Sequence, residues 1–149
     1  MTRGYAAVGL VAPKTPANVG SVLRAAGVFG AAFVAYTGHR YSKAPTDPQQ
    51  MYRHLPLIKA GDAPTDLRTV IPFDCVPVAV DLIDGAKALP NYTHPERAFY
   101  VFGPEDGTLG KQVLDWCRDV VVIPSRACLN LAGAVNVVLY DRAAKRGLA

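Results

Sequence analysis

Apolar residues in this chain come in short runs separated by polar, Gly- and Pro-rich breaks. Residues 6–12, 31–36, 76–82, 98–102 and 119–123 are each apolar nearly throughout. Runs of that length predict strands, and the lack of strict alternation predicts a parallel sheet covered on both faces. Helical stretches lie between them. Asn18 is placed to cap a helix running to about Phe29, with Gly30 as its stop. A short helix is expected over 64–70 with Thr65 as its cap, and an amphipathic helix over 108–116. A last helix is expected over 129–146, where Leu131, Val135, Val138 and Leu139 recur at helical spacing and are available for core or interface. The order of elements predicts an α/β fold, a mostly parallel sheet flanked by helices on both faces. No repeat or composition shift divides the chain, so residues 1–149 are expected to form a single domain.

Residues 38–56 are the least regular stretch. They carry His39, Arg40, Lys43, Pro45, Pro48, Arg53, His54 and Pro56, and predict a mobile basic loop with one helical turn at 49–53. Long loops of this kind in compact domains are usually functional or disordered. Arg40, Lys43 and Arg53 are candidate phosphate contacts, weighed against a merely solvated basic face.

Composition changes this picture only at the margins. With 149 residues, 50% hydrophobic and 19% charged, the chain is neither disordered nor a coiled coil. No apolar run approaches the ~20 residues of a membrane-spanning helix, and no signal-peptide core precedes the first strand, so a cytoplasmic protein is expected. A net charge of +4 is compatible with an acidic partner such as nucleic acid without establishing one. Cys75, Cys117 and Cys128 are odd in number and far apart, which excludes a disulfide framework and predicts three small buried side chains. His39, His54 and His94 lack ligand spacing, so no metal is expected.

Three segments fall where predicted strands end, the place where open α/β sheets put their sites. The first is PANVGSVLRAAGVFGA, residues 16–31, with Asn18 and Arg24 near the start of a helix. Arg24 offers a fixed fork of donors for phosphate or carboxylate. The second is FGPEDGTLG, residues 102–110, a Gly/Pro turn with two carboxylates. It fails the phosphate-loop pattern, which requires Gly where Glu105 stands, and it fails GxGxxG. The third is IPSRACLNLAGAVNVVLYD, residues 123–141, in which Asn130 opens a helix. Asn136 sits in an otherwise apolar stretch and, if buried, requires a hydrogen-bond partner. Each segment alone reads equally well as a cap, an acidic turn or a structural hydrogen bond.

Together and in this order the three segments resemble the three motifs of the SpoU/TrmH family of RNA ribose methyltransferases, in the SPOUT superfamily. The resemblance spans residues 8–140. It implies a trefoil-knotted α/β fold, an exception to the rule that chains do not thread loops. It also implies S-adenosylmethionine as methyl donor without a metal, S-adenosylhomocysteine as product, a homodimer, and transfer to a ribose 2′-hydroxyl of RNA. Length places the chain with the catalytic-domain-only members, the best known of which act on the wobble nucleotide of tRNA. Two alternatives stand beside tRNA: the same chemistry on rRNA, or an RNA-binding relative without activity. By motif match, catalytic roles fall to Arg24, Asn18, Glu105 and Asn130, and Arg24 also faces the RNA with Arg40, Lys43 and Arg53. Cofactor contacts fall to Val80, Gly103, Ile123, Cys128 and Leu131. The chain departs from the family in carrying Cys128 where a serine is usual, and its loop from Pro124 to Asn130 is shorter than in many members.

Overall fold

Every residue of the first strand after Tyr5 is buried, which requires cover on both sides of the sheet. The computed structural model describes residues 4–41 and 53–147. In it β1 (Tyr5–Leu10) lies in the middle of a seven-stranded sheet. The other strands are β2 (Val34–Thr37), β3 (Leu57–Gly61), β4 (Val76–Val80), β5 (Lys87–Ala88), β6 (Arg97–Phe102) and β7 (Asp119–Val122). Their order is β3-β2-β1-β6-β4-β7-β5 and every pairing is parallel. Among the described residues there are three α-helices: α1 (Pro16–Val28), α2 (Lys111–Leu114) and α3 (Leu131–Lys145). A 3-10 segment (Pro64–Val70) follows β3.

Side-chain alternation along β1 and β6 divides the interior into two cores. Ala6, Val8 and Leu10 join Ala98, Tyr100 and Phe102 on one face, under α1 and α3. Ala7 and Val11 join Phe99 and Val101 on the other, with Leu67 from the 3-10 segment and Val113 from α2. Gly9 stands where a Cβ would lie 2.6 Å from the Phe99 ring, so this position has no room for a side chain. Leu131, Val135, Val138 and Leu139 are all core, which settles their role within one chain. The apolar side chains left outside on these helices are Val28, Val137 and Tyr140. Phe29 meets the Tyr140 ring edge-on at 6.2 Å. No described helix is long and apolar enough to cross a membrane.

Several expectations are corrected. The N-cap of α1 is Thr15, with Pro16 in the first turn, so Asn18 lies inside the helix and its carboxamide is released from capping. Ala63, not Thr65, precedes the 3-10 segment, and Asp66 Oδ2 accepts from the Ala63 amide at 3.0 Å. The helix expected over 108–116 shrinks to Lys111–Leu114, because Gly110 at φ +79° still belongs to the turn. Asn136 is exposed and its amide donates to Ala132 O at 3.0 Å, a bond within one turn of α3. Cys128 is exposed, and Cys75 and Cys117 are half-buried. β3 and β5 were not anticipated. The expected turn at 49–53, apart from Arg53, and Lys43 lie outside the described residues.

Beneath α3 the fold holds a buried polar network. Arg142 Nη1 donates to the Tyr100 oxygen at 3.2 Å, and that oxygen lies 2.7 Å from His94 Nδ1. Since the guanidinium can only donate, the Tyr100 O–H is free to donate to His94 Nδ1. His94 Nε2–H then donates to Asp141 Oδ2 at 2.7 Å, and Lys145 Nζ lies 2.8 Å from the same oxygen. Burial pushes the Tyr100 phenol up to about 12, so it remains a donor. Burial also pushes the His94 imidazole below its usual value. Asp141 opposes that shift, and the nearby cations Lys145 and Arg142 reinforce it. The unfolded chain, with a histidine near 6.5, therefore binds the proton more readily than the folded one. The His94 contribution to stability is complete above about pH 6.5 and is lost as pH falls through the depressed folded value. Urea unfolding is expected to show stability falling between pH 7.5 and 5.5. His94→Gln should flatten that dependence. An equal slope in the variant would move its origin elsewhere.

Candidate active site

β1 and β6 are neighbours in register from Tyr5↔Arg97 to Leu10↔Phe102. From their carboxyl ends the chain leaves toward opposite faces, β1 into α1 on one side and β6 into α2 on the other. This divergence opens a crevice at a topological switch point. Val80 pairs with Phe102 on one side and Val121 on the other, so the ends of β4, β6 and β7 finish level. Val80, Gly103 and Ile123 thus share one edge, and Leu131 begins α3 nearby in sequence. A Cβ on Gly103 would meet Leu109 N and Thr108 C at 3.3 Å, so the turn folds back tightly on this glycine. Asp81 contributes to the same edge. Its Oδ1 accepts from Leu82 N at 2.8 Å and its Oδ2 from Leu109 N at 3.4 Å.

At the crevice the structure joins three residues from the three motifs. Asn130 caps α3, its Oδ1 accepting from Gly133 N at 2.8 Å. Its Nδ2 donates to Asn18 Oδ1 at 3.4 Å, and Asn18 Nδ2 donates to Glu105 Oε1 at 3.3 Å. The second Glu105 oxygen accepts from Lys14 N at 2.9 Å. Both amide orientations follow from the ends of this chain, because Gly133 N–H only donates and an ionised carboxylate only accepts. Glu105 lies at the amino end of α1, where the helix dipole favours a negative charge. The residues lie 87 and 112 positions apart in sequence.

A second set of contacts surrounds this chain. Arg40 Nη1 and Nη2 donate to the two Asp106 oxygens at 2.8 and 3.2 Å, and Nη2 also donates to Ala12 O at 2.6 Å. The bond from Arg40 holds the exposed Asp106 carboxyl below the usual range, and the same bond raises Arg40. Ala12 has φ +45°, in the left-handed region, and its N–H donates to Thr37 Oγ1 at 3.2 Å. Gly38 packs against it, with Ala12 Cα 3.2 Å from where a Cβ would stand.

Of the residues singled out from sequence, the structure brings together Asn18, Glu105 and Asn130, and sets Val80, Gly103 and Ile123 on one edge. Arg24 stands apart. It is exposed on the outer face of α1 and makes no hydrogen bond or ion pair with another described residue. Arg53 is exposed just ahead of buried Leu55. Cys128 lies in the exposed loop before Asn130, where Ser125 Oγ donates to Ala127 O at 2.8 Å. Asp81, Asp106, Thr37 and the Lys14 amide were missed. The only cue in the sequence was two adjacent carboxylates in the second motif. Among the described residues no group of three or more His, Cys, Asp or Glu is placed to hold a metal.

Comparison with known proteins follows the same lines. No curated protein sequence matches the chain significantly. Among solved structures, the SpoU methyltransferase AviRb from Streptomyces viridochromogenes, in complex with the cofactor AdoMet, superimposes with a TM-score of 0.83 at 21% identity. The match covers 100% of this chain and 63% of that one. A structure bearing on the 2-OH methylation of C/U34 on tRNA matches with a TM-score of 0.81 at 22% identity, covering 99% and 94%. The A. aeolicus TrmH/SpoU tRNA modifying enzyme matches with a TM-score of 0.82 at 17% identity, covering 98% and 79%. The chain thus spans less than two thirds of the length of AviRb. At these identities the likeness is one of fold. The model of the SpoU rRNA Methylase family matches residues 5–140, from the first strand through most of α3 and across all three motifs, and the chain belongs to that family.

Proposed function

We propose that this protein is an S-adenosylmethionine-dependent methyltransferase acting on a ribose 2′-hydroxyl of RNA, with tRNA as the substrate class. The observation that carries the reading is the Glu105–Asn18–Asn130 chain at the crevice between β1 and β6, built from all three family motifs. The tRNA assignment leans on a solved chain of nearly the same length, the structure bearing on the 2-OH methylation of C/U34 on tRNA, of which this chain covers 94%. The residues present suit the cofactor. The backbone of Val80, Gly103, Ile123 and Leu131 offers the neutral donors and acceptors a purine and an amino-acid group require. Leu82, Ile83 and Leu129 are exposed apolar side chains on the adjoining loops. Exposed Cys128 stands at the family's serine position, where its thiol offers a weaker hydrogen-bonding contact to the same group. When bound, the cofactor supplies an electrophilic methyl group on a cationic sulfur.

The chain's own residues carry the remaining work. Glu105, tied to Asn18 and the Lys14 amide, keeps the turn at Pro104–Gly107 fixed at the mouth of the crevice. Arg24 holds a phosphate next to the target ribose and orients its hydroxyl. Arg53 gives a further phosphate contact. Arg24 shares the outer face of α1 with Val28, which is 69% exposed, one helical turn on. Beside them lie the Phe29–Tyr140 pair and Val137. This face suits a second copy of the chain, and a homodimer would bring each Arg24 to a shared site. The knotted path through the loops around the third motif belongs to the same reading.

Calorimetry with S-adenosylmethionine and its demethylated product tests the cofactor. Methyl transfer to total tRNA and to rRNA, followed by mapping of 2′-O-methyl positions, tests the substrate. Binding with transfer to tRNA is the expected result. Binding with transfer to rRNA alone would replace the substrate class, and binding of RNA without methyl transfer would replace the activity.

A further inference from the structure

The segment from Thr37, the last residue of β2, to Arg40 contacts the β1–α1 loop at Ala12 and the second-motif turn at Asp106, yet no residue of it belongs to a motif. We infer that Arg40, Asp106 and Thr37 are positioning residues: a clasp that fixes Ala12 in its left-handed conformation and thereby delivers the Lys14 amide to Glu105. The inference rests on the proposed function only in taking Glu105 as part of the working site.

The argument starts from Ala12. A non-glycine residue at φ +45° is held there by its surroundings or not at all. Here its two backbone polar groups are gripped from the same segment. Its N–H donates to Thr37 Oγ1 at 3.2 Å, and its carbonyl accepts from Arg40 Nη2 at 2.6 Å. Two residues further on, the Lys14 amide donates to Glu105 Oε2 at 2.9 Å. The other end of the clasp closes the loop of contacts. Arg40 grips both oxygens of Asp106, the residue after Glu105. The β1–α1 loop, the segment after β2 and the Pro104–Gly107 turn are therefore tied pairwise, with Glu105 at the corner. A fork of donors is required, since one guanidinium must span a carboxylate and a backbone carbonyl at once. Lysine cannot do this. The pair is exposed, so the fold does not depend on it.

Such a clasp and a phosphate-binding Arg40 predict different behaviour. For the clasp, Arg40→Ala, Arg40→Lys and Asp106→Ala should each lower kcat roughly 10- to 100-fold, the scale of a small misplacement of catalytic groups. The double variant should be no worse than either single one. RNA affinity and its dependence on salt should stay as in the wild type, and so should thermal unfolding. In addition, NMR hydrogen exchange at the Lys14 amide should accelerate in all three variants. The idea is overturned if Asp106→Ala has wild-type kcat and an unchanged Lys14 amide. It is equally overturned if Arg40→Ala weakens RNA binding and reduces the salt slope by about one while Arg40→Lys retains both, the mark of a phosphate contact. If the wild-type protein neither binds S-adenosylmethionine nor methylates RNA, the proposed function fails by itself. The Lys14 amide then decides the clasp alone, faster exchange supporting it and unchanged exchange refuting it.

Discussion

Arg24→Ala is expected to reduce methyl transfer by roughly 10²- to 10⁴-fold, the range for losing a group that handles the reacting proton or its geometry. S-adenosylmethionine binding should stay at the wild-type level. The two expectations come from the same observation. The Arg24 side chain makes no hydrogen bond or ion pair with another described residue, so its removal leaves the Asn18–Glu105–Asn130 chain intact. On the proposed function, this exposed cation beside apolar Val28 works on RNA at a site shared with a second subunit. What that task is can be separated further. A guanidinium is effectively always protonated, which makes it a poor base and a good phosphate clamp. If orientation by a two-pronged phosphate contact is the task, Arg24→Lys should be nearly as poor as Arg24→Ala at every pH. If proton removal is the task, Arg24→Lys should regain activity as pH rises, because an amine deprotonates within reach of ordinary buffers. Wild-type turnover in Arg24→Ala would remove Arg24 from the mechanism altogether.

The parallel α/β arrangement was legible because its strands are buried on both faces. A strand such as β6, with Phe99 and Val101 facing one core and Tyr100 and Phe102 the other, has no polar face to blur the run. β3 lacked that signal. It is an edge strand with Ile58 and Lys59 exposed, and it follows a Pro- and His-rich stretch. β5 is only two residues long and reads as part of a turn. The candidate site was legible as three motifs whose residues meet, and Asn130 does open its helix. Asn18 was misread as a cap. Any Asn shortly before an apolar periodic stretch has that appearance, and with Pro16 in the first turn the cap lies three residues upstream, at Thr15. Asn18 at a cap would spend its carboxamide on the amides of α1. Inside the first turn it reaches Glu105 and Asn130 instead. The Arg40–Asp106 pair was beyond sequence reading. Its partners are 66 residues apart, and their meeting depends on β2 and β6 both flanking β1. The same holds for His94, whose network with Tyr100 and Asp141 depends on α3 packing on the sheet.

Arg142 is the buried charge on which the opposite end of the molecule depends, and Arg142→Ala is expected to cost about 3 kcal/mol of stability. At 5% exposure its guanidinium is out of water. It donates to Pro95 O at 2.6 Å, Glu96 O at 2.7 Å, Tyr5 O at 3.3 Å and the Tyr100 hydroxyl at 3.2 Å. These acceptors sit at the start of β1 and at the start and middle of β6, so one side chain from α3 ties the helix to the amino ends of two central strands. Hydrogen bonds from a charged donor contribute about 1.5–3 kcal/mol each, and an acceptor left buried without a partner costs about 1–3 kcal/mol. Water entering the space left by the side chain offsets part of that sum. For a chain of this size ~3 kcal/mol corresponds to a fall in Tm on the order of 10 °C. Arg142→Met isolates the cause, since Met fills much of the same volume without a donor. It should be nearly as destabilised as the alanine variant if hydrogen bonding dominates, and close to wild type if packing does. A second readout follows from the His94 network. With Arg142 gone, Tyr100 O no longer has a donor from above and can accept from a protonated His94 Nδ1, while one of the cations opposing that proton has been removed. The folded-state His94 value therefore rises toward its unfolded one, and stability between pH 7.5 and 5.5 should become flatter in Arg142→Met than in wild type. Unchanged stability together with an unchanged pH slope would mean that the α3–sheet junction holds without this arginine.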